Sequence, residues 1–285
     1  MSIVGIYHGD CSDGTGAAAV LLKKFPSIKL FPLKHHHTEE DLAPILEAVD
    51  SETTVYFVDF ALGVERLLSM AKEVTVIDHH ISEKERMEAL AEKHKNLSYV
   101  FNNEKSGATL AWAHFFGEET TPELLRLIQD VDIWQWKFGD RTKHMSRFLI
   151  PYVNQPDVVL GFLSENIEKL LEKGAAISDF ADYVVKSFVE RAEPTYVMIG
   201  EHKVPAFNAQ HMFVSEIGHE LSKKFGAAVL LYSIRETRVR MSFRSIEGQS
   251  PSALDLATSL GGGGHRLAAG GYAPLKKFCG MIVFE

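Results

Sequence analysis

The sequence contains little cysteine, no excess of basic residues and no long apolar run, and each shortage excludes a class of protein. Only two cysteines, Cys11 and Cys279, occur among 285 residues, which excludes a disulfide framework and a zinc site built from cysteines alone. No segment approaches the roughly 20 apolar residues that cross a bilayer, and the first residues lack the pattern of a secretory signal. The net charge of −8 argues against a duplex-DNA binder, which needs a broad basic surface. We therefore expect a cytoplasmic protein without a membrane or duplex-DNA partner.

The first half of the chain alternates short apolar runs with helix-like segments. Four runs are predicted strands: Ile3–Tyr7, Ile28–Leu33, Thr54–Val58 and Val74–Ile77. Six segments are predicted helices: Gly14–Phe25, Glu39–Val49, Gly63–Lys72, Ser82–His94, Ser106–Phe116 and Pro122–Asp130. Such alternation is typical of the α/β class, with a mostly parallel, Rossmann-like sheet and helices on both faces.

The second half has a different pattern. Residues 157–191 are apolar at helical spacing and predict one long or broken helix. Further strands are predicted at Val204–Asn208, Ala227–Ile234, Arg238–Ser245 and Met281–Phe284, with helices at Ser215–Phe225 and Ala253–Leu260. We therefore expect a first domain over residues 1–150, a helical linker over 151–195, and a smaller mixed α/β domain over 196–285.

Acidic and imidazole side chains follow three of the predicted strands. They are His8, Asp10 and Asp13 after the first strand, Asp59 after the third, and Asp78, His79 and His80 after the fourth. Groups beyond the carboxyl ends of parallel strands converge on one crevice, and clustered carboxylates are unfavourable there unless cations neutralise them. Oxygen ligands with a few imidazoles and no thiolate cluster favour Mn²⁺ or Mg²⁺ over structural zinc. Asp59 is the candidate to bridge two ions in a hydrolytic site.

Each of these residues also has a simpler explanation when taken alone. An acidic residue after a strand is often a helix cap, and this alternative stays open for Asp10, Asp13 and Asp59 individually. Their joint occurrence at three strand ends favours the metal site. The run His35–His37 follows the second strand and is predicted to be a solvated loop, with a contact to substrate at the rim of the crevice as the alternative.

A second group of residues lies near the end of the chain. Four glycines, residues 261–264, precede His265 and Arg266, and allow close approach of a ligand to the backbone. If a helix begins near His265, its free amides favour an anion. Arg244 and Ser245, at the end of a predicted strand, add a guanidinium and a hydroxyl suited to phosphate. This group predicts phosphate or nucleotide binding, and a flexible linker is the alternative.

Together these residues resemble the DHH phosphoesterase superfamily. The triplet Asp78-His79-His80 is similar to the signature of that family, His8 to Gly14 to its first metal motif, Asp59 to its second and Asp130 to its fourth. The segment 241–245 followed by 261–271 resembles the DHH-associated C-terminal domain. The wording of the first motif is most similar to the branch of oligoribonucleases and cyclic-nucleotide phosphodiesterases. One departure is Cys11, which stands two residues before Asp13 where many relatives carry aspartate.

The resemblance implies two divalent ions, with Mn²⁺ preferred and Mg²⁺ or Co²⁺ as alternatives, in a cleft between the metal-binding and substrate-binding domains. The implied metal ligands are His8, Asp10, Asp13, Asp59, His79 and Asp130, with Asp132 as an outer residue. The implied catalytic residues are Asp78 and His80. The implied substrate-binding residues are Arg244, Ser245, Gly262, Gly263, Gly264, His265 and Arg266.

Three functions follow from the resemblance and the residues. The first is hydrolysis of short oligoribonucleotides or cyclic (di)nucleotides to mononucleotides. The alternatives are a nucleotide bisphosphate phosphatase or inorganic (poly/pyro)phosphatase, and a non-catalytic nucleotide- or RNA-binding module. Tyr7, Phe60, Trp134 and Trp136 are candidates to stack on a base, which favours a short nucleic acid or nucleotide as partner. The oligomeric state is open, with a homodimer as one alternative.

Overall fold

The structure, a computed structural model, describes residues 2–34, 37–210 and 212–283. It divides into two compact units, Met1–Ser178 and Asp179–Glu285. The division falls within residues 151–195, the segment predicted as a helical linker.

A parallel sheet forms the centre of the first unit. Its strands are β1 (Ile3–His8), β2 (Lys29–Leu33), β3 (Thr54–Val58), β4 (Glu73–Asp78) and β5 (Leu97–Phe101). They lie in the order β2-β1-β3-β4-β5, and every neighbouring pair is parallel. The predicted α/β class and parallel sheet are thus confirmed. The edge strand β5 was not predicted, since Leu97 is its only fully buried residue and its apolar pattern is weak.

Helices cover both faces of this sheet. They are α1 (Ser12–Lys24), α2 (Glu39–Glu47), α3 (Val64–Leu68), α4 (Ile81–Lys93), α5 (Gly107–Phe116), α6 (Glu123–Asp132), α7 (Asp140–Leu149), α8 (Pro156–Phe162) and α9 (Ile167–Arg191). The predicted helix over 157–191 is broken into α8 and α9, and α7 was not predicted. Among the helices of the described residues, none combines the length and the apolar character that crossing a bilayer requires.

Two apolar cores follow from the alternation of side chains along each strand. Val55 and Phe57 of β3 pack in the core that includes α2, α3 and α4. Val58 packs in the other core, with α1, α5 and α6. Because both faces are buried, these strands are nearly continuous apolar runs, which is typical of a parallel sheet.

The strand order places a topological switch point between β1 and β3. From β1 the chain continues to β2 on one side, whereas β3, β4 and β5 follow on the other side. Loops at the carboxyl ends of β1 and β3 therefore diverge and leave a crevice, the usual ligand site of an open α/β sheet.

The second unit is built on a mixed sheet. Its strands are β6 (Thr195–Ile199), β7 (His202–Asn208), β8 (Val229–Arg235), β9 (Arg238–Arg244), β10 (Gly263–His265) and β11 (Ala268–Pro274), in the order β10-β11-β9-β8-β7-β6. Only β7 and β8, among the pairs described, are parallel. The helix α10 (Val214–Phe225) and the end of α9 cover one face, and α11 (Ala253–Ser259) and α12 (Leu275–Cys279) cover the other. This confirms the predicted smaller mixed α/β part.

Two predictions in this unit were wrong in detail. The segment near His265 is a strand, β10, and not the start of a helix, because its backbone pairs antiparallel with β11. The predicted strand Met281–Phe284 is reduced to an isolated bridge between Ile282 and Val197, and Phe284 lies outside the described residues.

Candidate metal centre

Three strands of the parallel sheet end in the residues that the sequence singled out. His8 is the last residue of β1, Asp59 follows β3, and Asp78 is the last residue of β4. Asp59 and Asp78 are almost completely buried, with exposed fractions of 1% and 0%. The prediction that these groups meet at one edge of the sheet is confirmed by their distances.

Asp59 lies at the centre of the group. Its Oδ1 is 3.0 Å from His79 Nε2 and 3.9 Å from His80 Nδ1, and its Oδ2 is 3.4 Å from His8 Nδ1. Burial alone would favour the neutral acid, but the contacts with the imidazoles of His79 and His8 lower the pKa of Asp59 to about 2. Asp59 is therefore an anion that several imidazoles approach, as the prediction of a bridging residue requires.

Asp13 enters the group from the first turn of α1. Its Oδ2 accepts a hydrogen bond of 2.6 Å from the Gly107 amide and its Oδ1 one of 3.1 Å from the Ala108 amide, at the N-terminus of α5. A side chain at position 107 would collide with Asp59, so glycine lets this helix end approach both carboxylates. Its amides and dipole favour the anions placed there.

Asp132, the last residue of α6, completes this side of the group. Its Oδ2 lies 3.4 Å from His79 Nε2, and Asp13 Oδ2 lies 3.9 Å from the same nitrogen. Burial and the charge of Asp59 raise the pKa of Asp132 to about 6. Burial, with the charges of Asp59 and Asp132, also raises the pKa of Asp13 well above its usual value. The carboxylates thus repel one another when no cation is bound.

The surrounding carboxylates also shift the pKa of His79. Burial opposes its charged form, but the hydrogen bond to Asp59 and the charges of Asp13, Asp59 and Asp132 raise its pKa to about 9. A protonated imidazole therefore stands where a cation is needed. Since metal ligation requires a neutral imidazole, a metal ion competes with this proton.

Asp78 organises the residues that follow β4. Its Oδ1 accepts hydrogen bonds of 2.8 Å from the His79 amide and 2.7 Å from His80 Nδ1. The hydrogen bond to Asp78 raises the pKa of His80 and fixes Nδ1 as the protonated nitrogen. The second carboxylate oxygen, Oδ2, is buried and accepts no hydrogen bond from any residue that the structure describes.

The donor atoms fit divalent ions. Oδ2 of Asp59, like Oδ2 of Asp78, is buried without a hydrogen bond in the described part of the chain. Such orphaned acceptors are costly unless a cation or water satisfies them. Three sets of donor atoms, each within 4.8 Å of one another, are Asp59 with Asp78, His79 and His80; Asp13 with His79 and Asp132; and His8 with Cys11 and Asp59. Asp59 and His79 each belong to two sets, so the three sets overlap.

Solved structures of other proteins resemble this chain over nearly its whole length. No family model matches the chain. Uncharacterized protein R106 of Acanthamoeba polyphaga mimivirus is 26% identical, over 98% of this chain and 71% of that protein. The solved structure of PggH, a pGpG-specific phosphodiesterase from Vibrio cholerae, has a TM-score of 0.53 at 15% identity and covers 97% of this chain and 95% of that one. The structure of RecJ in complex with Mn²⁺ from Thermus thermophilus has a TM-score of 0.52 at 15% identity and covers 98% of this chain and 50% of that one.

The likeness spans both units of the chain, and the triplet Asp78-His79-His80 lies at the centre of the buried cluster. The chain shares the fold of these two structures, a parallel sheet followed by a mixed second sheet. In this chain the triplet begins at the last residue of β4.

Asp10, predicted as a metal ligand of the DHH fold, lies elsewhere. Its carboxylate is exposed and forms an ion pair with Lys34, and its Oδ1 accepts a hydrogen bond of 2.8 Å from Asn154. These partners lower the pKa of Asp10, with the Lys34 contact as the largest cause. None of the donor sets found in the described residues includes it. Of the neighbouring run His35–His37, only His37 is described, and its Nδ1 donates a hydrogen bond to the Lys34 carbonyl.

Asp130, also predicted as a metal ligand, belongs to none of the donor sets found in the described residues. Its Oδ1 accepts a hydrogen bond of 2.9 Å from the Lys137 amide, and its Oδ2 accepts from the Phe138 amide and from Thr142. The carboxylate is therefore occupied in holding the loop after α6, whereas Asp132 contacts the imidazole at the centre. Helical spacing explains why Asp132 and not Asp130 reaches the centre. Asp132 lies one turn beyond Ile128, on the face of α6 that packs against α1.

The loop that Asp130 holds carries two tryptophans in an unusual conformation. Trp134 and Trp136 have φ values of 57° and 55°, in the left-handed region that bulky residues rarely adopt. Their rings meet edge to face, with centroids 5.3 Å apart, and Trp134 is 76% exposed. By contrast, Tyr7 and Phe60 are 2% and 1% exposed. The latter two therefore pack in the protein and are not available to stack on a base.

The predicted substrate-binding residues lie in the second unit, on its mixed sheet. The register pairs Ala268 of β11 with Arg244 of β9 on one side and with His265 of β10 on the other. Side chains opposite one another point to the same face of a sheet. Arg244 and His265 therefore lie on one face about 10 Å apart, two strand spacings.

The remaining residues of that group have structural contacts. Arg244 donates hydrogen bonds to the Phe243 carbonyl and to Ser215, and burial lowers its pKa. Ser245 is buried, donates to the Arg266 carbonyl and accepts from the Ala253 amide, at the start of α11. It therefore holds the backbone of the loop, and its hydroxyl is not open to a ligand. Gly263 and Gly264 belong to the exposed strand β10, and Gly262 donates to the Ala257 carbonyl at the end of α11.

Sequence reasoning missed two members of the centre. Asp132 was placed outside it, and Cys11 was treated only as a departure from the family motif. Asp132 could have been found from its helical spacing, because it lies on the same face of α6 as Leu125 and Ile128. For Cys11 the signal was its position between His8 and Asp13, within one short loop between β1 and α1.

Proposed function

We propose that this chain is a metal-dependent phosphoesterase that hydrolyses phosphodiester bonds of short nucleotide substrates. The observation that carries the proposal is the group of Asp13, Asp59, Asp78, His79 and Asp132 at the switch point of the sheet, in which Asp59 and Asp78 are buried and have carboxylate oxygens that lack hydrogen bonds. When bound there, divalent ions lower the pKa of a water and draw charge from the phosphoryl oxygens. Manganese is the first choice because the donors are mainly carboxylate oxygens with imidazole nitrogens.

The residues of the chain have distinct tasks in this proposal. Asp59, Asp13, His79 and Asp132 hold the ions and keep them at the ends of β1, β3 and β4. Asp78 fixes the ring of His80 by the 2.7 Å hydrogen bond at Nδ1. Because this contact favours protonated His80, the ring is suited to donate a proton from Nε2 to the leaving oxygen of the ester.

One feature favours a nucleotide over bare polyphosphate, and a second suits the phosphate groups of either substrate. Trp134 follows Asp132 by two residues, and its exposed ring offers a stacking surface for a base. The face of Arg244 and His265 in the second unit offers cationic and hydrogen-bonding groups for a phosphate. The likeness of fold to PggH makes a linear dinucleotide such as pGpG the first substrate to assay.

The proposal is tested by incubating the purified chain with Mn²⁺ and four substrates in parallel. They are pGpG, a cyclic dinucleotide, a nucleotide bisphosphate and pyrophosphate. Release of mononucleotides from pGpG or the cyclic dinucleotide, abolished by EDTA, is the expected result. If phosphate is released only from pyrophosphate or the bisphosphate, the protein is a phosphatase and not a phosphodiesterase. If the protein binds nucleotides tightly but hydrolyses none of the four substrates, it is a nucleotide-binding module and not an enzyme.

A further inference from the structure

Cys11 lies among the groups that face the proposed metal centre. Its sulfur, a ring nitrogen of His8 and a carboxylate oxygen of Asp59 all lie within 4.8 Å of one another. The backbone of Cys11 is extended and the residue immediately precedes α1. The sulfur is thus delivered from the same loop that delivers Asp13.

A second observation indicates that this group takes a ligand. Asp59 is 1% exposed, and its Oδ2, the oxygen that faces His8 at 3.4 Å, accepts no hydrogen bond from the residues that the structure describes. A buried anionic oxygen that faces an imidazole beside a thiol is matched by a cation.

We propose that Cys11 is a thiolate ligand to one of the two metal ions, together with His8 and Asp59. The inference rests on the proposed metal dependence and adds the identity of one ligand. One thiolate, one imidazole and one carboxylate form a set of borderline softness. This pocket therefore prefers Zn²⁺, Co²⁺ or Fe²⁺ to Mg²⁺, whereas the set of Asp13, His79 and Asp132 remains suited to harder ions.

The ligation step is a simple exchange. The metal–sulfur bond forms as the S–H bond breaks, and the proton passes to the buffer, with no change of oxidation state. Burial and the charges of Asp59 and Asp13 raise the pKa of the Cys11 thiol, while the Gly14 amide acts in the opposite direction.

The experiment is a titration of the metal-free full chain with Co²⁺, followed by absorption spectroscopy. A sulfur-to-cobalt charge-transfer band in the near ultraviolet reports a thiolate ligand, and the d–d bands in the visible report bound cobalt whatever its ligands. The wild type is compared with Cys11→Ser, Cys11→Asp and Cys279→Ser. Serine and aspartate are both accepted before a helix, and circular dichroism with thermal unfolding checks that each variant folds. Cys279 is exposed and belongs to the second unit, so it serves as the matched control.

We expect the charge-transfer band in the wild type and in Cys279→Ser, and its loss in both Cys11 variants, with the d–d bands retained most fully in Cys11→Asp. In competition, Mg²⁺ should displace Co²⁺ more readily from Cys11→Asp than from the wild type. Visible d–d bands without a charge-transfer band in the wild type would overturn the role of Cys11 and leave the metal centre intact. A charge-transfer band that disappears in Cys279→Ser would also overturn it. Failure of the folded wild type to bind Co²⁺ at all would overturn both this inference and the proposed metal dependence.

Discussion

His79 Nε2 lies 3.0 Å from Oδ1 of Asp59, and this contact joins the ends of two neighbouring strands. The same nitrogen is 3.4 Å from Asp132 at the end of α6. Residues that follow β3, end α6 and follow β4 therefore meet at the Nε2 proton of His79. That proton occupies the position a cation would take among the carboxylates. Because several carboxylates share this proton, substitutions of different residues in the centre should change metal binding and stability in different ways.

Asp59→Asn should abolish metal binding and lower kcat/KM by about a hundred- to a thousand-fold, as expected for loss of several kcal/mol of stabilisation by the ions. Isothermal titration with Mn²⁺ and steady-state kinetics measure the two effects. Asp10→Asn is the matched control, because Asp10 is paired with Lys34 outside the cluster. Undiminished activity of Asp59→Asn would contradict the site, and loss of metal by Asp10→Asn would restore Asp10 as a ligand.

Asp130→Asn should destabilise the protein without removing the metal site. The side chain accepts hydrogen bonds from two backbone amides and one hydroxyl, and replacement of one oxygen by an NH₂ group places donors against donors. We expect the free energy of unfolding to fall by about 1–3 kcal/mol. Urea denaturation followed by tryptophan fluorescence measures this, and Mn²⁺ affinity close to that of the wild type is the second expected result.

Asp132→Asn should stabilise the metal-free protein at alkaline pH. The folded-state pKa of about 6 exceeds the usual 3.8. Ionisation therefore disfavours the folded state, and the loss of stability grows as the pH rises from the usual value through about 6. After EDTA treatment the variant should melt above the wild type at about pH 8, and close to it at about pH 4, near the usual pKa, where little of the penalty has developed. Each ~1 kcal/mol of relieved repulsion raises Tm by about 2–4 °C. An equal difference at both pH values would assign the effect to another cause.

Trp134→Ala should weaken nucleotide binding and leave the chemistry of small phosphates intact. Loss of a stacked base is worth about 1–3 kcal/mol, which raises KM for a dinucleotide about 5- to 150-fold. Phenylalanine at the same position should restore most of the affinity. Pyrophosphate turnover, where detectable, is the control, since this substrate has no base. An unchanged KM for the dinucleotide would remove the tryptophan from the substrate site.

Arg244→Ala should raise KM far more than it lowers kcat if its guanidinium only grips a phosphate. Its hydrogen bonds to a carbonyl and to Ser215 orient the group but do not neutralise its charge. A hydrogen bond to a charged partner is worth about 1.5–3 kcal/mol, so KM should rise at least about tenfold. Ser245→Ala is the comparison, because Ser245 supports the backbone at α11 and should affect stability instead of KM.

Much of the fold and most of the centre follow from local sequence. Apolar runs of strand length alternating with helical segments predict a parallel sheet, and the residues just after β1, β3 and β4 must then meet at one edge. His8, Asp13, Asp59, Asp78 and His79 lie close together for this reason. Their positions depend only on where each strand ends, which a sequence determines within a few residues.

Other assignments depended on contacts between segments far apart in the chain. Asp10 and Asp130 are as acidic as their neighbours, and only the packed structure shows that Lys34 and Asn154 occupy the first and backbone amides the second. Whether a carboxylate becomes a ligand is decided by which hydrogen-bond donors reach it. Those donors come from loops and helix ends whose positions follow from tertiary packing, so the sequence determined which chemical groups gather at the sheet edge, and the tertiary structure decided which of them face one another.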